Sequence, residues 1–224
     1  MKASLEQALK INPKLNPKLF LPTPEAVLRA IEVSPIKDWL NFIANEYVLP
    51  RKVSLLLLVP CSAYKPYSEA RDELYRRLIY EIKPKLKNAR MITVSIPLAL
   101  EPEEYWNLQW RGYNLIYDCP FFPGSEKLGF KWEGPAAEEV TKKLRKVIES
   151  FWKRNKDYFE YSLAFLVPSS PDRPLVEGFV DEIVPDFDPP TVENPSYDNN
   201  ASEVYCYPSV WKVFLEAIKS WLHT

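Results

Sequence analysis

The sequence has little histidine, glycine and cysteine, and each shortage excludes a class of active site. Of its 224 residues, one is His, five are Gly and three are Cys. The single histidine, His223, is the penultimate residue, where chains tend to fray, so Ser-His-Asp catalysis and histidine-based zinc sites are not expected. Few glycines argue against a glycine-rich phosphate loop. Because Cys61, Cys119 and Cys206 form no Cys-x-x-Cys pair, we expect neither a metal site nor a cofactor.

Long hydrophobic runs are also absent. The longest apolar stretch, Leu55–Val59, is far shorter than the roughly 18 residues that span a bilayer, and residues 1–19 lack the pattern of a signal peptide. We therefore expect a cytoplasmic protein without a membrane partner. The 22 prolines beside few Gly, Cys and Met are compatible with the composition of a thermophile protein.

Charge is unevenly distributed, although the formal net charge is only -1. Residues 1–160 hold 26 basic and 20 acidic side chains, whereas residues 161–224 hold 3 and 10. The basic excess is concentrated in residues 51–90, with ten basic and four acidic side chains. Such a face can attract a polyanion such as RNA. An ordinary solvated helix surface is the alternative.

The hydrophobic pattern predicts strands that alternate with helices. Continuous apolar runs predict strands buried on both faces at 53–59, 91–96 and 163–167. Helices are predicted to begin at Thr23-Pro24, at Ser34-Pro35 and at Gly134-Pro135, to cover the basic stretch 69–82, and to close the chain around 210–221. This alternation indicates an α/β fold, a three-layer sandwich with a mainly parallel central sheet.

Three segments are expected along the chain. Residues 1–50 form an N-terminal helical segment packed on the domain, residues 51–185 form the α/β core, and residues 186–224 form an acidic, proline-rich connection and a C-terminal helix. Within the core, Leu57–Ser62 and Phe165–Ser170 are both apolar strands that run into Pro and small polar residues. Parallel strands bring such ends to one sheet edge, where ligands bind; simple strand termination is the alternative.

The segment richest in chemistry is Pro60–Ser68, between a predicted buried strand and the predicted basic helix. Its sequence, Pro-Cys-Ser-Ala-Tyr-Lys-Pro-Tyr-Ser, places a thiol, hydroxyls, two phenols and an ammonium within nine residues. A lysine partly desolvated at a strand end can act as a nucleophile or base. Lys65 is therefore predicted to be functional rather than a surface cation. Cys61 has no partner histidine and is more simply explained as a structural thiol.

A second candidate is Asp118, between Tyr117 and Cys119 in the aromatic, aperiodic region 97–134. As a general base or a polar anchor for a base edge, Asp118 suits a nucleobase pocket. A turn residue without a function is the alternative. The aromatic residues of this region, Trp106, Trp110, Tyr113, Phe121 and Phe122, either stack on a flipped base or pack in the core.

The sequence Pro-Cys-Ser-Ala-x-Lys-Pro-Tyr-Ser after an apolar strand resembles the signature of the archaeosine synthase family, archaeal relatives of tRNA-guanine transglycosylases. The flanking Tyr47–Pro50 and Tyr117–Pro120 resemble the pattern around that signature, so the resemblance covers about residues 40–160. It implies a transferase that acts on 7-cyano-7-deazaguanine already inserted in tRNA and converts its nitrile towards archaeosine. It also implies a fold similar to the uracil-DNA glycosylase fold.

The enzyme hypothesis assigns roles to individual residues, of which only those within Pro60–Ser68 are carried over from the family signature. Lys65 activates or contacts the substrate, Ser62 and Ser68 donate hydrogen bonds, and Asp118 positions the base. The expected catalytic residues are Lys65, Ser62 and Asp118, and the expected substrate-binding residues are Cys61, Tyr67, Ser68, Arg71, Arg76, Arg77 and Tyr117.

One departure from the family pattern leaves three hypotheses open. The family signature continues into a Ser-x-Ser-His stretch, whereas Ser68 is followed here by Glu69-Ala70-Arg71-Asp72, without histidine. Full-length family members also carry an RNA-binding module, so we expect tRNA or another RNA as a partner, and a protein that supplies RNA-binding or catalytic domains. The chain is then either a tRNA-modifying enzyme or a non-catalytic RNA-binding or partner subunit that keeps the pocket without the chemistry. A protein-interaction domain that uses its acidic tail is a third possibility.

Overall fold

A five-stranded sheet lies at the centre of the computed structural model, which describes residues 4–190 and 201–222. Its strands are β1 (Val53–Pro60), β2 (Ala89–Ser95), β3 (Ala99–Pro102), β6 (Phe159–Phe165) and β7 (Glu182–Val184), in the spatial order β3-β2-β1-β6-β7. β1 pairs in parallel with β2 and with β6, β6 pairs in parallel with β7, and only β3 runs antiparallel to its neighbour β2. The prediction of a mainly parallel sheet is confirmed.

Helices cover both faces of the sheet. They are α1 (Leu5–Ile11), α2 (Pro24–Ala30), α3 (Ile36–Asn45), α4 (Glu73–Arg77), α5 (Pro135–Asn155), α6 (Arg173–Val176), α7 (Ala201–Cys206) and α8 (Pro208–Leu222). α5 packs against α2, α3 and α6, whereas α7 packs against α4 and α8. The crossover through α4 leads from β1 to one neighbouring strand, and the crossover through α5 leads back to the other. Right-handed connections therefore place α4 and α5 on opposite faces, which confirms the three-layer α/β sandwich.

The three strands predicted from apolar runs are the three central strands of the sheet. Their observed bounds, 53–60, 89–95 and 159–165, differ by a few residues from the predicted ones. Five consecutive side chains, Leu55–Val59, are each 0% exposed, because a central strand covered on both faces has no solvent side.

Two predicted helix starts are wrong in detail. The helix predicted over 69–82 begins only at Glu73, because Ala70 has a left-handed backbone (φ 48°) and Asp72 caps α4 by accepting a hydrogen bond from the Tyr75 backbone N at 2.7 Å. The following turn, 78–82, is π-helical. At α3, the Ser34 hydroxyl donates to the Asp38 carboxylate at 2.5 Å and does not cap the backbone.

The aperiodic region 97–134 contains strands that the sequence did not predict. It holds β3 and a small hairpin made of β4 (Gln109–Trp110) and β5 (Tyr113–Asn114). Strands of two to four residues are too short to show a period of two. Trp106 and Trp110 are buried, and Trp110 contacts the ring of Trp39 edge-on with centroids 5.6 Å apart. Both tryptophans therefore pack in the core.

The hydrophobic core is continuous from Ala8 in α1 to Ile218 in α8. On the α8 side, the rings of Phe165 and Phe214 stack with centroids 4.1 Å apart. The predicted acidic connection around 185–203 lies partly outside the described residues, and His223 lies wholly outside them.

Candidate functional site

The loops that follow β1 and β6 meet at the carboxyl edge of the sheet. The first leads to α4 on one face and the second to α6 on the opposite face. Ligands of open α/β sheets bind at an edge where neighbouring connections diverge in this way. Between the two loops, the Cys61 thiol contacts Oδ2 of Asp172 at 3.6 Å. The expectation that Leu57–Ser62 and Phe165–Ser170 end at one edge is thereby confirmed.

Lys65 is buried within the signature segment, the name used here for Pro60–Ser68. It is only 3% exposed. Its Nζ donates to the backbone oxygen of Ser62 at 2.5 Å and lies 4.1 Å from the ring centroid of Tyr117 and 5.5 Å from that of Tyr67. A buried ammonium is costly without such compensation, and aromatic faces attract cations. Lys65 is therefore not a surface cation.

Besides Asp72, two buried carboxyl groups lie close enough to Lys65 for its charge to affect them. Glu101 in β3 is 0% exposed and Asp172 is 4% exposed. Oε1 of Glu101 accepts from the Ser95 hydroxyl at 2.6 Å, and Oδ1 of Asp172 accepts from the Ile96 backbone N at 2.9 Å. Burial raises the pKa of each carboxyl group to about 7, although these hydrogen bonds and the Lys65 ammonium favour the charged forms.

The thiols and phenols beside these groups are neutral at neutral pH. The packing around Cys61 raises its thiol pKa, and the negative charge of Asp172 raises it further. Since the thiolate is the reactive form of cysteine, this environment does not make Cys61 a nucleophile. Burial likewise raises the pKa of Tyr67 and of Tyr117, whose hydroxyls share a hydrogen bond of 2.9 Å. The Lys65 cluster is defined here as Lys65, Cys61, Tyr67, Glu101, Tyr117 and Asp172.

The Ser62 hydroxyl is directed towards α4. It donates to Asp72 and accepts from the Tyr64 backbone N at 3.0 Å. Asp72 is the cap of α4, so this contact joins the signature segment to the start of the helix. The predicted catalytic residue Ser62 is thus engaged in a hydrogen bond that fixes the loop, while its backbone oxygen receives the Lys65 ammonium.

Asn12, just after α1, holds the signature segment from the other side. It is 0% exposed. Its Oδ1 accepts from the Lys65 backbone N at 2.8 Å, and its Nδ2 donates to the Ala63 oxygen at 2.6 Å. One amide group therefore satisfies two backbone groups of the loop and sets the position from which the Lys65 side chain extends.

Asp118 lies next to Tyr117, and the backbone of Asp118 forms hydrogen bonds with the N-terminal segment. Its N donates to the Leu19 oxygen at 3.0 Å, and its oxygen accepts from the Leu21 N at 2.8 Å. The residue is 5% exposed. Ser68 lies at the exposed end of the signature segment, where its backbone N donates to the Trp106 oxygen at 3.2 Å.

The three predicted substrate-binding arginines lie on α4 and the turn before it. Arg76 and Arg77 both pair with Glu73, at 2.6 and 2.7 Å. The Arg71 guanidinium lies 5.3 Å from the ring centroid of Tyr64. Because one carboxylate serves two of the arginines, the positive charge of this surface is smaller than the residue count suggests.

An open groove of about 1340 Å³ lies beside the site. Phe121 and Phe122 of the region after Cys119 line one part of it, and Ser169 and Pro171, just before Asp172, line another. The charged lining residues are Lys131, Lys142, Arg145, Lys146, Glu126, Glu133, Glu138 and Glu149. Because the two signs balance, this groove has no electrostatic preference for a polyanion.

Within residues 4–190 and 201–222, no group of three or more His, Cys, Asp or Glu side chains is arranged to hold a metal ion. In the same part of the chain, no helix is both long and apolar enough to cross a membrane.

Sequence reasoning missed Glu101, Asp172, Asn12 and Asp72. Asp172 had a signal, because it closely follows the second of the two similar strand ends, Phe165–Ser170. Asp72 occupies the position of a helix cap before Glu73. No sequence signal marked Glu101 or Asn12, since each contacts the site only in the folded chain.

Comparison with known proteins gives two matches. The family model described as a domain of unknown function, DUF5591, matches residues 36–121. Archaeosine synthase subunit alpha from Thermococcus kodakarensis is 31% identical over 117 residues, which is 51% of this chain and 19% of that protein. The chain thus spans about a fifth of the length of this curated relative.

No solved structure matches the chain, and the likeness to the uracil-DNA glycosylase fold stays a prediction. The matched residues 36–121 include Cys61, Lys65, Glu101 and Tyr117, but neither Asn12 nor Asp172. The match of residues 36–121 to DUF5591 and the similarity over 117 residues to an archaeosine synthase subunit support a relationship to the archaeosine synthase family.

Proposed function

We propose that this chain takes part in tRNA modification and acts on a 7-deazaguanine-type base at the Lys65 cluster. The observation that carries the proposal is the burial of Lys65, with Glu101 and Asp172 beside it, at the sheet edge where α/β proteins bind ligands. The matched relative, named archaeosine synthase subunit alpha, supports the choice of substrate.

The charges of the cluster suit a nucleobase better than a phosphate. Three buried carboxyl groups, Asp72, Glu101 and Asp172, lie within the influence of one ammonium, so a phosphate would meet more repulsion than attraction. A deazaguanine offers several N–H donors and ring acceptors, which match carboxyl oxygens and an ammonium. Carboxyl groups whose pKa lies near 7 can also give or take a proton at neutral pH.

The rest of the tRNA contacts the protein outside the cluster. Residues 51–90 carry the basic excess of the chain. Within residues 4–190 and 201–222, the ion pairs of this stretch engage Arg76, Arg77, Lys83 and Arg90, but not Lys85 or Lys87. Since the relative is named as a subunit, a protein partner belongs to the proposal.

The direct test compares Lys65→Met and Lys65→Arg with the wild type. Met keeps the apolar stem without the charge, and Arg keeps the charge with a different shape. We expect Lys65→Met to weaken binding of 7-cyano-7-deazaguanine or its conversion in tRNA at least tenfold, about 1.4 kcal/mol. The readouts are equilibrium dialysis of the base and mass spectrometry of tRNA nucleosides.

Lys127→Ala, at an exposed position outside the signature segment, is the matched control. Equal behaviour of Lys65→Met and Lys127→Ala in both assays contradicts the proposed site. Binding of the base without conversion, also in the presence of a partner, identifies the chain as a non-catalytic subunit.

A further inference from the structure

One carboxylate oxygen at the centre of the Lys65 cluster has no hydrogen-bond partner. Oε2 of Glu101 is buried and unpaired within the described residues 4–190 and 201–222, whereas Oε1 accepts from Ser95. The hydroxyls of Tyr67 and Tyr117 bond to each other at 2.9 Å, and both also lie near enough to Glu101 to favour its charged form. An unsatisfied buried carboxylate oxygen costs free energy unless it is protonated or meets a ligand.

Two consecutive residues at the end of β2 hold the two buried carboxyl groups. The Ser95 hydroxyl donates to Glu101, and the Ile96 backbone N donates to Asp172. The charge of each carboxylate therefore acts on the other through a medium that excludes water. In such a pair, the first ionisation makes the second less favourable.

The titratable groups that face this pair come from every element packed around it. They are Lys65, Cys61 and Tyr67 of the signature segment, Tyr75 of α4, Tyr117 and Cys119 of the aromatic region, and Tyr205 of α7. Burial raises the pKa of each of these thiols and phenols, so they stay neutral at neutral pH. The proton balance of the cluster therefore depends on the two carboxyl groups.

We propose that Glu101 and Asp172 are a coupled proton-transfer pair in which Oε2 of Glu101 exchanges a proton with a nitrogen of the bound base. This inference rests on the proposed function for its substrate. Glu101 is the catalytic residue of the pair, and Asp172 is a positioning residue that acts through it.

The proton balance is simple. Protonated Glu101 gives its proton from Oε2 to the base nitrogen, and the carboxylate that remains is stabilised by the Ser95 hydroxyl and the Lys65 ammonium. Asp172, whose Oδ2 accepts from the Cys61 thiol, acts on this step through its charge. The transfer back from the base reverses the same steps, and no other reactant is needed.

The test is a pH titration of the side-chain carboxyl groups by 13C NMR on the full chain with labelled Asp and Glu. The Glu101→Gln and Asp172→Asn variants assign the two signals. In the wild type, we expect both to titrate between about pH 6 and pH 8. In Glu101→Gln, we expect the Asp172 titration to move down by about one pH unit, because a neighbouring negative charge is removed.

Glu69→Gln is the matched control, since Glu69 directly follows the signature segment and forms an exposed ion pair with Lys14; it should leave both signals in place. If Glu101→Gln does not fold, Ser95→Ala replaces it and should move the Glu101 titration to higher pH. The proposed pair is wrong if both groups titrate below about pH 5. It is also wrong if the titration midpoint of Asp172 is the same in Glu101→Gln as in the wild type.

Addition of 7-cyano-7-deazaguanine tests the contact with Oε2. Binding that shifts the Glu101 titration supports the contact, and binding that leaves it unchanged overturns the contact. If the base does not bind, the proposed substrate is wrong, and so is the contact between the base and Oε2. The coupling of Glu101 and Asp172 is tested separately, by the titration of the protein without the base.

Discussion

The ammonium of Lys65 lies over the ring of Tyr117, with its Nζ 4.1 Å from the ring centroid. This contact joins the loop after β1 to the irregular region that precedes α5. A second contact, from Nζ to the Ser62 backbone oxygen, fixes the direction of the ammonium within the loop. The positions of the charge and of the ring thus depend on each other, and both belong to the matched domain 36–121.

The first prediction concerns the stability that Lys65 contributes. Lys65→Ala removes a buried side chain and leaves the Ser62 oxygen without its donor. It also removes the cation that stabilises the charged forms of the buried Glu101 and Asp172 carboxyl groups. We expect the free energy of unfolding to fall by roughly 2 to 4 kcal/mol, measured by urea denaturation.

An exposed lysine behaves differently, so Lys127→Ala is expected to change stability by no more than about 0.5 kcal/mol. A loss for Lys65→Ala as small as that of Lys127→Ala would show that the contacts of the buried ammonium contribute nothing to folding. For this reason, functional assays are better made with Lys65→Met, which retains most of the packing.

The second prediction concerns Asn12 as the residue that positions the signature segment. Asn12→Ala leaves the Lys65 N and the Ala63 oxygen without their partner, at a cost of roughly 1 to 3 kcal/mol for each buried group that stays unsatisfied. We also expect the peptide bond of Lys65 to lose protection from hydrogen exchange, measured by mass spectrometry.

Asn107→Ala is the control for Asn12→Ala, because Asn107 bonds only to the exposed backbone N of Gln109 among the hydrogen bonds of the described residues. Unchanged exchange in the peptide that contains Lys65 would show that the loop keeps its position without Asn12.

The central sheet was predictable because burial on both faces leaves a simple trace in the sequence. Leu55–Val59 has no polar residue, and no solvent-facing strand or amphipathic helix has that composition. β3 and the β4–β5 hairpin left no such trace, since two to four residues cannot establish a period. Their positions are set by neighbouring strands and by aromatic packing in the folded chain.

The site was predictable only where one short segment carries it. Cys61, Ser62, Lys65 and Tyr67 lie within a few residues of one another, so their chemistry was visible in the sequence. Glu101 lies in a strand that the pattern did not predict. Asp172 and Asn12, like Glu101, reach Lys65 or its neighbours only through tertiary contacts, and sequence spacing holds no information about those.

The third prediction concerns the dependence of stability on pH. The pKa of Glu101 rises from 4.5 to about 7 in the folded protein, and that of Asp172 rises from 3.8 to about 7, through burial. Between about pH 4 and pH 7 the folded state therefore binds more protons than the unfolded state. The stability that these two groups contribute is fully present below this window and is lost as the pH rises through it.

Glu101→Gln removes the part of this pH dependence that comes from the Glu101 carboxyl group. Between pH 5 and pH 8, we expect the difference in unfolding free energy between variant and wild type to shift in favour of the variant by roughly 1 to 3 kcal/mol. Urea denaturation at both pH values measures this, with Glu69→Gln as the exposed control. A constant difference between pH 5 and pH 8 would contradict a raised pKa for Glu101.

The last prediction concerns which basic residues bind tRNA. Arg76 is already paired with Glu73 at 2.6 Å, whereas Lys85 and Lys87 are exposed and have no ion pair within residues 4–190 and 201–222. A cation without a partner is free to replace a counterion on a phosphate. We therefore expect the Lys85→Glu, Lys87→Glu double variant to weaken tRNA binding by the same factor for different tRNA sequences. The effect should exceed that of Arg76→Glu, because the positive charge of Arg76 already has a carboxylate partner.

Fluorescence anisotropy with labelled tRNA over a range of salt concentrations measures this tRNA affinity. The slope of log affinity against log salt should become less steep by about one for each phosphate that the variant no longer neutralises. Equal weakening in the two variants would show that the ion pair with Glu73 opens on binding, and unchanged binding in both would place the tRNA surface elsewhere on the protein.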